Sequence, residues 1–263
     1  MTTVSERITP PDRLRRSRLD RREAMRLAAV EYERFADAVS QVGADGWGRP
    51  TDCPAWDVRR LACHVVGMAE LAADPVEGDR QRRLAGLAVA DSGGDFTDAL
   101  TALQVAERES WAPADILARV RDAGRRAAVG RASAPAQALG AAMPSPFEFN
   151  GQLERWSVGY LFDTILTRDV WMHRIDLCTA VGIPVLLTAD HDGVIVSDLV
   201  DEWAQRHARP YRLTLTGTAG GRFAGATGGQ DQEWHDELDA IEFARILAGR
   251  GTGTGLLAIR VPF

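Results

Sequence analysis

Apolar residues recur every three or four positions along much of the chain, the spacing that gathers them on one face of an α-helix. This pattern predicts four helical segments: 19–42, from Pro54 to about Asp74, 95–131 as one or two helices, and 153–181. Either Thr51 or Asp57 would cap the second segment, because a side-chain oxygen there can accept from free backbone N–H groups. Residues 133–151, rich in Ala, Pro and Gly, are predicted to form a loop.

After Pro184 the pattern becomes mixed. It predicts a helix over 192–206, an alternating strand over 211–216, glycine-rich turns over 217–229, a short helix over 240–248 and a final strand over 256–261. This order of elements is typical of a small α/β domain. The predicted fold is therefore mostly α, with a flexible N-terminal tail over 1–18, a four-helix bundle over 19–184 and a C-terminal α/β domain over 185–263.

Charge and composition limit the kinds of partner and the chemistry that we expect for the protein. With 31 basic against 37 acidic side chains the formal net charge is -6, which argues against nucleic-acid binding through bulk charge. No stretch approaches the ~18 consecutive apolar residues of a spanning helix, so we expect no membrane partner. The three cysteines, Cys53, Cys63 and Cys178, fit a reducing cytoplasm, and we interpret them as small buried residues. All basic side chains are Arg, which excludes lysine Schiff-base chemistry.

Two histidines and a carboxylate form the strongest chemical pattern. Asp169 and His173 are four residues apart on one predicted helix and therefore lie on the same face, about 6 Å apart along its axis. His64 lies on the inward face of the second predicted helix. Such a 2-His-1-carboxylate set can hold Zn, Fe or Ni with positions left open. The alternatives are a helical ion pair for Asp169 and His173 and a hydrogen-bonded core histidine for His64.

Two segments carry a family resemblance. Residues 51–67, TDCPAWDVRRLACHVVG, resemble the second-helix signature of the mycothiol-dependent maleylpyruvate isomerase family, within the DinB-like superfamily. Residues 168–176, RDVWMHRID, resemble its fourth-helix signature, and 249–263 resemble the end of its C-terminal domain. The resemblance implies a DinB-like four-helix bundle that bears a metal, followed by a small α/β domain.

The same resemblance implies the ligands and the site. His64, Asp169 and His173 fall on the three metal-ligand positions of the family, for a divalent metal that we expect to be zinc, with nickel or iron as alternatives. Mycothiol would be the cosubstrate, and the Arg-only composition agrees with a GC-rich actinobacterial host. Arg250 would contact an anionic group of the substrate, or else serve as a helix cap or salt bridge. Asp176 would orient His173 or Arg174.

One residue departs from the family pattern. The family's carboxylate ligand is usually Glu, and Asp169 is one methylene shorter, which withdraws its oxygens by about 1.5 Å. Three outcomes are open: the helices lie closer together, a water bridges the gap, or the metal is bound weakly or not at all.

These observations predict a mycothiol-dependent, metal-assisted thiol transferase or cis-trans isomerase that acts on a small electrophile. One alternative is a DinB-like binding or stress protein without thiol chemistry. Another is a metal-dependent hydrolase or a tailoring enzyme of secondary metabolism on the same scaffold, since a fold does not fix a function. The physiological electrophile, the choice between transfer and isomerisation, and the oligomeric state stay open.

Overall fold

A computed structural model describes residues 14–225 and 233–263. Its helices, in chain order, are α1 (Arg21–Ser40), α2 (Val58–Ala73), α3 (Pro75–Ser92), α4 (Phe96–Ala106), α5 (Pro113–Ala132), α6 (Ala136–Gly140), α7 (Val158–Tyr160), α8 (Leu166–Val181), α9 (Asp192–His207) and α10 (Ala240–Leu247). Its strands are β1 (Phe147–Phe149), β2 (Gln152–Glu154), β3 (Tyr211–Thr216), β4 (Gly221–Gly225) and β5 (Trp234–Asp239). The prediction of a mostly helical chain with a small sheet near its C-terminus is confirmed.

The described residues divide into two compact units. The helical unit comprises 19–134, 163–187 and Phe263, and the mixed unit comprises 14–18, 135–162 and 188–262 without the masked stretch 226–232. Residues 135–162, which the sequence groups with the helices, belong to the mixed unit. There Glu154 accepts from both Arg15 and Arg206, which ties three separate segments together. The predicted tail over 1–18 lies largely outside the described residues.

Four helices form the framework of the helical unit. Helices α1 and α2 each pack against α5 and α8, and α3 and α4 lie against α2. Large apolar side chains from these helices are fully buried, among them Leu27, Phe35, Leu61, Ile116, Met172 and Ile175. None of the described helices has the length and apolar character needed to cross a membrane. The sequence pattern did not predict α3, because its buried positions are Gly78, Gln81 and Ala85 rather than an apolar stripe.

The predicted helix over 153–181 is wrong at its beginning. Leu153 lies in β2, which pairs with β1 in an antiparallel hairpin, and the helix begins only at Val158. Asn150 and Gly151 form the turn, both with positive φ, the backbone geometry of the tight turns that join hairpin strands. The predicted loop over 133–151 therefore contains α6 and β1. A wide helical turn over Leu161–Ile165 connects α7 to α8.

In the mixed unit, β3 is the central strand of a three-stranded sheet. It pairs antiparallel with β4 and parallel with β5, so the order is β4-β3-β5. The glycine-rich region supplies the turn between β3 and β4, as predicted, whereas residues 226–229 lie outside the described residues. The predicted final strand over 256–261 is wrong. Gly255–Ala258 forms a short 3-10 turn, and the Leu256 carbonyl accepts from the indole of the buried Trp203.

A histidine at the end of α9 is partly buried among aromatic rings. The His207 ring lies 4.2 Å from Trp203 and 5.5 Å from Tyr211, centroid to centroid. Its Nδ1 accepts from the Arg209 backbone N–H at 3.0 Å, and its Nε2 has no hydrogen-bond partner among the described residues. Burial, and then the charge of Arg209, lower the pKa of His207 to about 4. The folded chain therefore favours the neutral ring.

This pKa makes stability depend on pH. Between pH 6.5 and about pH 4, the unfolded chain binds a proton that the folded chain does not. The contribution of neutral His207 to the free energy of unfolding is fully present above pH 6.5, and this free energy falls by up to about 3 kcal/mol as the pH falls to 4. Urea unfolding followed across this range should show the decline. We expect a shallower profile for His207→Gln, while the exposed His235→Gln should follow the wild type. Superimposable wild-type and His207→Gln profiles would contradict the assignment.

Candidate metal centre

Helices α2 and α8 bring the three predicted metal ligands together. His64 Nε2 lies 3.5 Å from Asp169 Oδ2, and His173 Nε2 lies 3.3 Å from Asp169 Oδ1. The two imidazole rings meet edge to face, with their centroids 5.2 Å apart. One potential ligand atom from each residue lies within 4.8 Å of the others. The spacing of four residues on α8 thus produces the convergence that the sequence predicts.

The other ring nitrogens have partners of their own. His64 Nδ1 lies 2.9 Å from Gln104 Oε1, a side chain of α4. His173 Nδ1 lies 3.4 Å from Asp176 Oδ2, so Asp176 is placed to orient His173. Both histidines therefore direct Nε2 toward Asp169 and Nδ1 away from it, the arrangement that leaves Nε2 available to a metal.

The electrostatics favour an ionised carboxylate between the two rings. Burial alone would raise the pKa of Asp169, but His173 and His64 outweigh that effect and hold it well below its usual range. Burial alone would lower the pKa of His173, but Asp169 and Asp176 raise it well above its usual range. Asp169 is thus an anion at any physiological pH, as a metal ligand requires, whereas the raised pKa of His173 means that the proton on its Nε2 has to leave when a metal binds.

The residues fit a divalent metal. Asp169 Oδ2 is buried and has no hydrogen-bond partner among the described residues, although His64 Nε2 approaches it. The two separations run to different oxygens of the carboxylate, 3.5 Å from His64 Nε2 to Oδ2 and 3.3 Å from His173 Nε2 to Oδ1. Each is close to the distance of about 3.4 Å between neighbouring ligand atoms in a tetrahedral zinc site. The shorter side chain of Asp169 therefore reaches both imidazoles without an added methylene.

A tight turn before α2 places two further side chains, Trp56 and Cys53, at this centre, where the sequence pattern did not predict them. The turn is closed by the Thr51 hydroxyl, which donates to the Trp56 carbonyl at 2.8 Å. The Trp56 ring lies 4.7 Å from the ring of His64 and 5.7 Å from that of His173, so the indole covers both imidazoles. Asp57 follows as the cap of α2, as predicted. The motif that carries the family resemblance is therefore one folded unit.

Cys53 lies in the same turn, and the prediction that all three cysteines are small buried residues is wrong for this one. Its Sγ is 3.6 Å from Asp176 Oδ2 and 3.9 Å from His173 Nδ1, and the residue is partly exposed rather than buried. Cys53, His173 and Asp176 form a second group of potential ligands on the opposite side of the His173 ring. Cys63 and Cys178 are buried as predicted, and burial raises the pKa of each thiol to about 11.

Arg250 lies in the mixed unit, directly after α10. Its guanidinium donates to the Ala248 carbonyl at 3.1 Å, and its backbone N–H donates to the Arg245 carbonyl at 2.8 Å. Because Ala248 is the C-terminal cap residue of α10, the first of these bonds favours the alternative that Arg250 serves as a helix cap. A contact of Arg250 with substrate stays a prediction.

Packed helices that present two histidines and a carboxylate to one point define a candidate metalloprotein of the helical-bundle class. Residues 28–178 match the family model described as the mycothiol maleylpyruvate isomerase N-terminal domain. Because this match spans more than half of the chain, the protein belongs to that family, and the resemblance found in the sequence is confirmed.

Two solved structures are similar to the chain: the crystal structure of the mycothiol-dependent maleylpyruvate isomerase and that of a histidine-to-alanine mutant. Each comparison covers 89% of this chain and 91% of the other, at 18% sequence identity and a TM-score of 0.56. At this identity the likeness shows the fold. No curated protein matches the chain.

Proposed function

We propose that the protein catalyses a mycothiol-dependent, metal-assisted reaction of a small electrophilic substrate. The observation that carries this proposal is the convergence of His64, Asp169 and His173 in a chain of the mycothiol maleylpyruvate isomerase family. The proposal extends to this chain the thiol on which the structurally similar maleylpyruvate isomerase depends.

A divalent metal, which we propose to be zinc, would be held by His64 Nε2, His173 Nε2 and the Asp169 carboxylate. Such an ion supplies Lewis-acid chemistry that lowers the pKa of a bound thiol. The protein's own side chains prepare the site. Asp176 orients the His173 ring, and Trp56 packs against both imidazoles.

The proposed reaction begins when the mycothiol sulfur gives up its proton and forms a bond to an electrophilic carbon, while the C–O bond of an epoxide or the π bond of an activated alkene breaks. In a retained adduct the resulting oxyanion or enolate takes up a proton. Retention of the adduct is an S-transfer. Rotation about the former double bond, followed by expulsion of the thiol, is a cis-trans isomerisation. We favour S-transfer because nothing in the site calls for a dicarboxylate substrate: the family resemblance supplies Arg250 as an anion contact, and no second arginine beside it. An Arg250→Gln variant with an unchanged KM for an anionic substrate would remove Arg250 from the site.

Mass spectrometry after incubation tests the function directly. Protein loaded with Zn²⁺ is mixed with mycothiol and a panel of epoxides, enones and maleyl-type acids, and reactions without mycothiol serve as controls. We expect either a product with the summed mass of mycothiol and electrophile, or an acid of unchanged mass that chromatography before the mass spectrometer resolves as the trans isomer. Either product should form only with both protein and mycothiol. Hydrolysis without mycothiol would instead support the hydrolase alternative. No conversion of any compound would contradict the proposal.

A further inference from the structure

A chain of buried hydrogen bonds leads from His64 through two glutamines. Gln104 Oε1 faces His64 Nδ1 at 2.9 Å, and Gln104 Nε2 donates to Gln81 Oε1 at 2.9 Å. Gln81 Nε2 donates in turn to the Gly67 carbonyl at 3.1 Å and to Glu77 Oε1 at 2.8 Å. Both glutamine side chains are fully buried. The chain therefore connects α2, α4 and α3 behind the metal centre.

The acceptors at the far end decide which way each amide points. A backbone carbonyl and a carboxylate have no hydrogen to donate, so Gln81 must turn its NH₂ group toward Gly67 and Glu77. Its oxygen then faces Gln104, which must donate to it. The second N–H of Gln104 points to Met68 Sδ at 3.0 Å, a further acceptor. Gln104 is left with its oxygen toward the imidazole.

The ionisation state of Glu77, at the far end of this chain of hydrogen bonds, is set by a neighbouring charge. Hydrogen bonds from Arg80 hold the pKa of Glu77 below its usual range, so this carboxylate is ionised and can only accept. Arg80 contacts Glu77 at 2.7 Å and also Glu107 at 2.7 Å. The orientation of Gln81 is therefore set by an ion-pair group formed by Glu77 and Arg80 on α3 and by Glu107, directly after α4.

A glycine makes the close approach to α2 feasible. A Cβ at Gly67 would lie 2.6 Å from the Gln104 side chain, closer than carbon atoms approach in proteins. Gly67 follows His64 by three residues and so lies one turn along the same side of α2. The packing of α4 on α2 at this point thus requires a residue without a side chain.

We propose that Gln104 is a positioning residue of the metal centre: it holds a proton on His64 Nδ1 and so leaves Nε2, the nitrogen that faces Asp169, as the one that binds a metal. Since Gln104 can only accept from His64, Nδ1 must donate, and Nε2 is the nitrogen left to bind a metal. The inference rests on the proposed metal site, but it concerns the imidazole itself. It can therefore be tested separately from the reaction.

Nitrogen NMR of histidine-labelled protein tests the proton position. We expect a protected Nδ1–H signal for His64 both in the metal-free protein and after addition of Zn²⁺. In Gln104→Leu this signal should be lost to exchange with water. A His64 ring that carries its proton on Nε2 alone, or that binds Zn²⁺ through Nδ1, would overturn the inference.

Zinc affinity, measured by competition with a chromophoric chelator, is the second readout. Loss of a group that orients a metal ligand costs about 10–100-fold in metal affinity, and we expect a loss of that size for Gln104→Leu. Gln104→Glu, which keeps an acceptor beside Nδ1, should recover most of the affinity. The control Val105→Ala shortens a buried apolar side chain of α4 and should leave zinc affinity unchanged.

The outcomes separate the inference from the proposed function. A wild-type protein that binds Zn²⁺ tightly while Gln104→Leu is equally tight would overturn the role of Gln104 and leave the metal site standing. Equal losses in Gln104→Leu and Gln104→Glu would assign the effect to packing and would also overturn it. A wild-type protein that binds no Zn²⁺ would contradict the metal site, and the Nδ1–H signal would still decide the position of the His64 proton.

Discussion

Asp169→Ala is expected to remove tight zinc binding and, with it, the mycothiol-dependent reaction. The carboxylate lies between the two imidazoles and is the anionic member of the set. Replacement of groups behind metal ligands already costs about 10–100-fold in affinity, so loss of this ligand should cost more than about 100-fold. Equilibrium dialysis against Zn²⁺ followed by elemental analysis gives the binding, and the mass-spectrometric assay gives the activity.

Cys53→Ala is the matched control for this experiment. Cys53 and Asp169 lie on opposite sides of the His173 ring, because Cys53 faces Nδ1 and Asp169 faces Nε2. We expect Cys53→Ala to bind zinc as tightly as the wild type. If Cys53→Ala lost zinc while Asp169→Ala kept it, the metal would belong to the group formed by Cys53, His173 and Asp176. Zinc retained by both variants would remove Asp169 from the proposed ligand set.

Glu31→Leu is expected to destabilise the helical unit by about 3–5 kcal/mol, because it leaves a buried arginine without its carboxylate. Glu31 and Arg174 are paired by two hydrogen bonds, of 2.6 and 3.2 Å, between α1 and α8. Their side chains are only 1% and 2% exposed, so solvent cannot replace the lost partner. The free energy of unfolding in urea, measured by circular dichroism, gives the size of the loss.

Two further variants show whether the loss comes from an isolated charge. Glu31→Leu combined with Arg174→Met should be more stable than Glu31→Leu alone, since a buried pair replaced by apolar side chains often costs little. The control is an exposed ion pair between Asp37, also on α1, and Arg121. Asp37→Ala should change the free energy of unfolding by less than about 1 kcal/mol. A double variant no more stable than Glu31→Leu would contradict the explanation.

The sequence was sufficient to locate the three proposed metal ligands because helical spacing is regular. Asp169 and His173 lie one turn apart wherever α8 packs, and an inward histidine on α2 can face them. Gln104 could not be found in this way. It meets His64 across 40 residues of sequence, and a glutamine on a helix carries no signal of a buried role.

Local turn chemistry explains one error in the predicted fold, and a missing apolar pattern explains another. Asn150-Gly151 between short alternating segments is a hairpin signal that the helical interpretation of 153–181 overrode. Strand β5, rich in charged residues, lacks an apolar alternation and is held by backbone pairing with β3. By contrast, α2, β3 and α10 follow clear patterns with recognisable ends, and the structure confirms them.

The closed turn before α2 limits where relatives of this chain can gain or lose residues. Trp56 and Cys53 are held on one short loop that is closed by the bond from Thr51 to the Trp56 carbonyl and followed by Asp57, the cap of α2. An inserted or deleted residue there would displace the indole, the thiol and the helix cap at once. The exposed turn at Gly93-Gly94, between α3 and α4, carries no such group and could absorb added residues. Natural insertions should therefore accumulate at that turn and avoid residues 51–57.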